Sequence, residues 1–437
     1  MNRLLNGRPL LMILLWCGCM QSLKAQFLIE MIDTTTRDGK GVLSRFKKYD
    51  HVRISGYMQP QFQVAQEKGI KNYSGGDFPA QSNNRFMFRR GRIRFDYADF
   101  TETGLPLAQV VFQFDGTERG VFIRDFWGRL YESKWQVFSF TTGMFARPFG
   151  YEVNMSSSDR ETPERGRMSQ ILMKTERDLG VMVTFEPRKA GHPLKNIKLD
   201  LGIFNGQGLA GPSEYDNYKD IIGRISLKPY QLKKNLLISA GASLLQGGIV
   251  QNSRYIYHTS SINGSKSFLV DSSLENFGAK APRKYHGIDA QLKLKHAWGV
   301  TELRGEFWFG KQTATGETSE TPGELLENTP YYIRPFNGAF FYFLQNIVNE
   351  KHQLGFKYDW YDPNTEIEGE NIGLPATNTG EADIKYSTVS LGYNFYYNDN
   401  FKLLLWYDII RSEKTSLPNF AHDIRDNVFT CRIQYSF

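Results

Sequence analysis

Apolar and polar residues alternate with a period of two along almost the whole chain, and this pattern constrains the fold more than any other feature. Near residue 52, Val52 and Ile54 share one parity, whereas Arg53 and Ser55 share the other. The same alternation continues to the last residue, Phe437. Successive side chains of a strand point to opposite faces. Each segment therefore has one apolar and one polar face, and the two faces suit different solvents.

Sixteen such segments of about ten residues follow one another between His51 and Phe437. Polar, Gly-rich or Pro-containing stretches separate them. Repeated short alternating segments are typical of a transmembrane antiparallel β-barrel, and we predict an all-β barrel of about 16 strands. After Ala25 no run approaches the roughly 18 consecutive apolar residues of a transmembrane helix. The alternative is a secreted β-sandwich, propeller or solenoid, which would need a second apolar set to form a separate core.

The first 25 residues have the features of a secretory signal peptide, with Arg3 and Arg8 before an apolar core and Ala25 at the predicted cleavage site. Cleavage would leave Cys431 as the single cysteine and would lower the formal charge from +7 to +4. This mild charge gives no reason to expect a nucleic-acid partner. We predict three parts: a signal peptide (1–25), a periplasmic segment of undecided role (26–50) and the barrel (51–437).

Charged residues occupy the polar face of several predicted strands. Arg90, Arg92 and Arg94 share one parity, while Ile93 and Phe95 share the other. Three guanidiniums would then point into the lumen about 6 to 7 Å apart, where they could replace part of an oxyanion's hydration shell. Arg89 has the wrong parity, so it must lie near an interface or in a bulge. Over the clearly alternating strands, ten bases face seven acids, which favours anions without identifying phosphate.

Several short motifs resemble the phosphate-selective porins O and P of Gram-negative outer membranes, and the resemblance covers most of the mature chain. It is carried by the segments 88–95, 121–130, 143–152, 176–181, 204–206, 357–364 and 434–437. The resemblance implies a sixteen-stranded, usually trimeric porin with an internal loop that narrows a basic pore. It also implies that the inward-folded constriction loop corresponds to residues 147–178.

We therefore expect passive diffusion of phosphate or similar small anions through an arginine-lined pore in an outer membrane, with the apolar face in contact with lipid. The aromatic last strand, ending in Phe437, resembles the signal read by the barrel assembly machinery. Arg124 is a candidate on resemblance alone, because the parity of its strand is ambiguous. Five acids interleave with the bases of residues 147–178, so that loop could be locally neutral. The candidate substrate contacts are Arg90, Arg92, Arg94, Arg124, Arg165, Arg167 and Lys174.

Two other functional classes remain as alternatives. A general small-solute porin would have the same scaffold without phosphate selectivity, and a structural or adhesive barrel would have no need of an arginine-rich strand. An outer-membrane enzyme would require a nucleophile with a base, but the seven histidines are scattered and no G-x-S-x-G motif occurs. We therefore predict a protein that is not an enzyme. One mature cysteine and dispersed histidines show no metal-ligand spacing, so no cofactor is expected.

Overall fold

The computed structural model describes residues 51–210, 214–262 and 265–437. The predicted signal peptide and the segment 26–50 lie outside these residues. Across the described ranges, no helix is long and apolar enough to cross a membrane. The strands are β1 (Val52–Ala65), β2 (Asn84–Phe100), β3 (Pro106–Thr117), β4 (Gly120–Tyr131), β5 (Phe138–Ala146), β6 (Arg177–Phe185), β7 (Ile197–Phe204), β8 (Asp220–Lys233), β9 (Leu236–Val250), β10 (Ile256–Ile262), β11 (Ser265–Asp271), β12 (Lys280–His296), β13 (Gly299–Ala314), β14 (Tyr331–Ile347), β15 (Asn349–Asp362), β16 (Tyr386–Asn398), β17 (Phe401–Ser412) and β18 (Val428–Ser436). One α-helix, α1, spans Arg167–Leu172.

Sixteen of these strands, β1 to β9 and β12 to β18, form one closed antiparallel barrel within the described residues. Each pairs with its neighbour in sequence, except that β9 pairs with β12. The barrel closes where β18 pairs with β1. There the backbone N–H of Gly56 donates to Phe437, 3.0 Å, and the N–H of Phe437 donates back to Gly56, 2.9 Å. The predicted all-β barrel of about 16 strands is confirmed.

Alternation of burial along each strand distinguishes the two faces of the wall. Ile221 on β8 is 51% exposed, whereas its neighbour Ile222 is fully buried. The exposed face is apolar, and the opposite face carries most of the buried charged residues, including Arg304 and Arg432. An apolar surface with ordered polar groups behind it is the arrangement expected of a barrel surrounded by lipid.

The hairpin β10–β11 lies within residues 247–284, a long polar stretch whose composition predicts an external loop. β10 pairs in parallel with the first residues of β14, from Tyr331 to Ile333. Phe268 of β11 is buried among Ile367, Ile384 and Phe420, which belong to the loops after β15 and β17. The hairpin is thus held by contacts with residues 75 or more positions away, which period-two alternation does not reveal.

Candidate functional site

Two β-bulges bring arginines to the polar face of the barrel wall although their parity in the sequence does not predict it. The register between β1 and β2 shifts between Met58 and Pro60, so that Arg89 and Arg90 together oppose Gln59. A bulge of this kind places two successive residues opposite one and re-aims a side chain. Both guanidiniums contact Glu164, at 2.8 Å from Arg89 and 2.7 Å from Arg90. Of the two positions predicted for Arg89, near an interface or in a bulge, the structure shows the bulge.

The second bulge lies between β3 and β4. Gln113 pairs with Asp125 and Phe114 pairs with Ile123, which leaves Arg124 without a cross-strand partner. Arg124 and Asp125 therefore both reach the polar side, although they are consecutive. Arg124 contacts Glu176 at 3.1 Å. The bulge explains why the sequence pattern alone gave Arg124 no clear parity.

Glu164 is shared by three arginines from different parts of the chain. Besides Arg89 and Arg90 on β2, Arg432 on the last strand contacts its carboxylate at 2.7 Å. Burial alone would raise the pKa of Glu164, but these three guanidiniums hold it well below its ordinary range. One carboxylate thus neutralises only part of the positive charge that surrounds it.

Glu176 is surrounded in the same way by three more arginines. Arg165 contacts it at 2.9 Å, Arg124 at 3.1 Å and Arg177 at 3.7 Å. Arg177 also contacts Asp125 at 3.2 Å. Because Glu164 and Glu176 lie in the connection between β5 and β6, they join this connection to charges on β2, β4, β6 and β18.

Arg160 lies close to both groups without an acid of its own. It is 4% exposed, and its Nε and Nη1 atoms have no hydrogen-bond partner in the described part of the chain. No described carboxylate comes within 4.0 Å of it. The positive charges of Arg90 and Arg165 and the negative charge of Glu152 act on it.

Seven arginines surround Glu164 and Glu176, and we call them the arginine cluster. Four carboxylates accompany it, namely Asp125, Glu164 and Glu176 in direct contact and Glu152 at longer range. Seven positive charges thus exceed four negative charges. The cluster consists of Arg89, Arg90, Arg124, Arg160, Arg165, Arg177 and Arg432.

Three of the seven predicted substrate contacts, Arg90, Arg124 and Arg165, belong to the arginine cluster. Arg92 lies beside it and pairs with Asp115 at 2.9 Å. Arg94 pairs with Asp96 on its own strand at 2.7 Å. The three arginines of the predicted β2 series therefore each meet a different carboxylate.

The other two predicted contacts have different surroundings. The guanidinium of Arg167 lies over the ring of Tyr386, 3.8 Å from its centroid, and its Nε atom has no hydrogen-bond partner in the described ranges. The Lys174 side chain is 63% exposed and contacts Glu320 at 2.6 Å. Lys174 therefore lies outside the arginine cluster. The cluster members that the sequence interpretation did not select as substrate contacts are Arg89, Arg160, Arg177 and Arg432.

Residues 147–173 contact the polar side of strands from many parts of the barrel. The Tyr151 N–H donates to Glu306 on β13, 2.8 Å, and the ring of Phe149 packs edge-on against Trp308, 4.7 Å between centroids. Arg304 on β13 contacts Glu161 at 2.9 Å. On β1, Gln59 donates to the backbone carbonyl of Ser157. The segment is thus fixed by hydrogen bonds, ion pairs and aromatic packing together.

The described residues contain no group of three or more His, Cys, Asp or Glu side chains arranged to hold a metal ion.

Solved structures share the barrel architecture. The outer membrane channel DcaP of Acinetobacter baumannii aligns with a TM-score of 0.52 and 12% identity over 88% of this chain and 97% of that one. This chain has the fold of an outer-membrane channel. The high-pH structure of Pseudomonas putida OprB aligns with a TM-score of 0.51 and 9% identity, covering 89% of this chain and 94% of that one.

The trimer form of OmpT, an outer membrane protein of Vibrio cholerae, aligns with a TM-score of 0.50 and 8% identity over 88% of this chain and 99% of that one. No protein-family model and no curated protein matches the sequence. The resemblance to the phosphate-selective porins therefore has no support from a family model, and it stays a hypothesis.

Proposed function

We propose that the protein is an outer-membrane porin through which small hydrophilic solutes diffuse passively, with a preference for small anions such as phosphate. The observation that carries the proposal is the arginine cluster, where seven guanidiniums share four carboxylates on the polar side of a closed barrel. Selectivity depends on charge at the narrowest point of a pore rather than on the total charge. The contacts of residues 147–173 with several strands support a role for this segment in narrowing the lumen.

Guanidinium chemistry suits this function. Each planar group has five N–H donors and stays charged at any physiological pH, so a passing oxyanion can exchange water for fixed donors. Among the described residues, Arg160 has two donor atoms without a partner, and Arg165 has one, Nη1. These unpartnered donors are the most direct candidates for contact with an anion. We retain Arg90, Arg92, Arg94, Arg124, Arg165, Arg167 and Lys174 as proposed contacts and add Arg160 to them.

A general porin without anion selectivity is the second candidate, and balanced ion pairs elsewhere in the lumen favour it. Arg94 pairs with Asp96, Arg224 with Asp289, and Lys357 with Asp359, each within 3.0 Å. If the narrowest point lies among these pairs, the net charge along the pathway is small. We also propose a homotrimer in the outer membrane, by analogy with the trimer form of OmpT.

The two candidates differ in the reversal potential of the refolded protein in a planar bilayer under a KCl gradient. An anion-selective pore gives a potential of the sign expected for chloride, and added phosphate then reduces the chloride current. A reversal potential near zero without phosphate block would favour the general porin. The absence of channels from correctly folded barrels would contradict both.

Replacing Arg160 by glutamine should lower the preference for chloride over potassium by about tenfold. A unit positive charge about 6 Å away in water stabilises chloride and destabilises potassium by roughly 0.7 kcal/mol each, and the difference of about 1.4 kcal/mol corresponds to that factor. Lys234→Gln also removes one positive charge, but from the exposed turn between β8 and β9, which lies outside the arginine cluster and the proposed contacts, so this control should keep wild-type selectivity. Equal reversal potentials for the Arg160 variant and the wild type would rule out Arg160 as a selectivity residue.

A further inference from the structure

The outward face of β12 and β13 carries an apolar band between the long connection that precedes β12 and the short turn that follows it. Ile288 pairs with Phe307 and Leu292 with Leu303, all on this face. His286 and Phe309 form the upper edge of the band, with their rings stacked 5.2 Å apart. The ten positions from His286 to His296 span about 25 Å along the barrel axis at ordinary strand tilt, which matches the apolar thickness of a bilayer.

Two lysines lie directly above the upper edge. Lys284 and Lys311 are cross-strand partners, both are exposed, and both have the outward parity of His286 and Phe309. The connection above them, from β9 to β12, is long and contains the hairpin, whereas the turn after His296 is short. Long connections face the outside of the cell in barrels of this class. The two ammonium groups therefore lie at the level of the outer lipid headgroups.

No acid of the protein pairs with these lysines in the described ranges. Neither ammonium has a carboxylate within 4.0 Å, and the residues level with them on the flanking strands are Gln246 and Pro335. Glu366 and His258 border a recess beside Lys311, so one acid lies on that side beyond ion-pair distance. Like charges directly opposite each other on adjacent strands destabilise a sheet unless an anion compensates them.

Another outward-facing basic residue of the barrel does have an acid partner. Arg411 on β17 also has outward parity near the same end of the barrel, and it forms an ion pair with Asp423. The protein supplies the counter-charge there. For Lys284 and Lys311 no described carboxylate lies within ion-pair distance, which leaves both ammonium groups open to an anionic lipid headgroup.

We propose that Lys284 and Lys311 form a binding site for the phosphate-bearing headgroup of an outer-leaflet lipid, with the lipid's acyl chains against the apolar band below. The site lies on the lipid side of the wall, so it does not depend on which solute passes through the pore. Clusters of basic residues at a membrane surface attract anionic headgroups by charge. The pairing of two lysines with an aromatic edge beneath them suits one phosphate and its attached hydrocarbon.

The test measures binding of diphosphoryl lipid A to the refolded full chain in detergent micelles by calorimetry. The double variant Lys284→Ala/Lys311→Ala should bind lipid A about 30-fold more weakly. Each lysine near an anionic surface strengthens the affinity by about fivefold, and the two factors multiply. The matched control Lys233→Ala/Lys234→Ala removes two exposed lysines from the turn at the other end of the barrel and should bind as the wild type does. Retained heat-modifiable migration on gels confirms that each variant is folded.

Two further arms identify the source of the phosphate. Dephosphorylated lipid A should bind to the wild type as weakly as diphosphoryl lipid A binds to the double variant. Inorganic phosphate alone should show no binding that depends on the two lysines. Equal affinity of wild type and double variant for lipid A, or lysine-dependent binding of free phosphate, would overturn the proposal.

Discussion

The Glu164→Gln variant should be less stable than the wild type by about 3 to 5 kcal/mol, and its pore should prefer anions more strongly. Glu164 is the carboxylate shared by Arg89, Arg90 and Arg432, and it is buried together with Arg90 and Arg432. Removing one partner of a buried ion pair leaves uncompensated charge, at a cost of that order. Thermal unfolding of the refolded barrel, followed by heat-modifiable migration, measures the first effect, and reversal potentials measure the second.

Glu67→Gln is the matched control, because Glu67 pairs only with Arg425 and both side chains are largely exposed. Exposed pairs contribute about 0 to 1 kcal/mol, so this variant should unfold as the wild type does. The depressed pKa of Glu164 implies that its ion pairs stabilise the wild type at neutral pH and are lost only as pH falls through that low value. An unchanged unfolding midpoint together with unchanged selectivity would contradict the assignment of Glu164 as the shared carboxylate.

Replacing Gly150 by alanine should release the start of the segment 147–173 from the wall and raise the single-channel conductance. Gly150 has a φ of +70°, and a Cβ atom there would lie 2.6 Å from Cζ2 of Trp308 and even closer to Glu306. Glu306 accepts the backbone N–H groups of Tyr151 and Glu152. The added Cβ atom therefore clashes with Glu306, the same side chain that holds the start of the segment. Overpacking of this kind typically costs about 1 to 3 kcal/mol.

Gly104 provides the control for backbone strain. Its φ is +80°, but a Cβ atom there meets nothing within 4 Å. Gly104→Ala thus carries the conformational strain of a left-handed residue without the steric clash. We expect wild-type conductance from this control. If both alanine variants conduct alike, the contacts of Gly150 with β13 do not hold the segment.

The barrel could be predicted from the sequence because membrane strands must keep one apolar and one polar face, and a period of two records this directly. The hairpin β10–β11 could not, because its burial comes from residues far along the chain, such as Phe420 against Phe268. Nothing in the local pattern distinguishes this hairpin from an irregular loop.

The site could be predicted only in part, for a related reason. Parity correctly placed Arg90 on the polar face and indicated that Arg89 breaks the pattern, which the bulge explains. The partners of these arginines were not predictable, because Glu164 brings together residues 89, 90 and 432 across most of the chain. Which acids neutralise which bases depends on the path of the connection between β5 and β6, and alternation carries no information about that path.

The closure between the first and last strands has a consequence for how the chain folds. The reciprocal hydrogen bonds of Gly56 and Phe437 join residues almost at opposite ends of the barrel sequence. Forming contacts with so large a sequence separation costs loop-closure entropy and lowers the folding rate. Until β18 has been synthesised, β1 and β17 each have an unpaired edge that invites aggregation. The barrel therefore cannot close before its last strand is available, which makes closure a late step of folding.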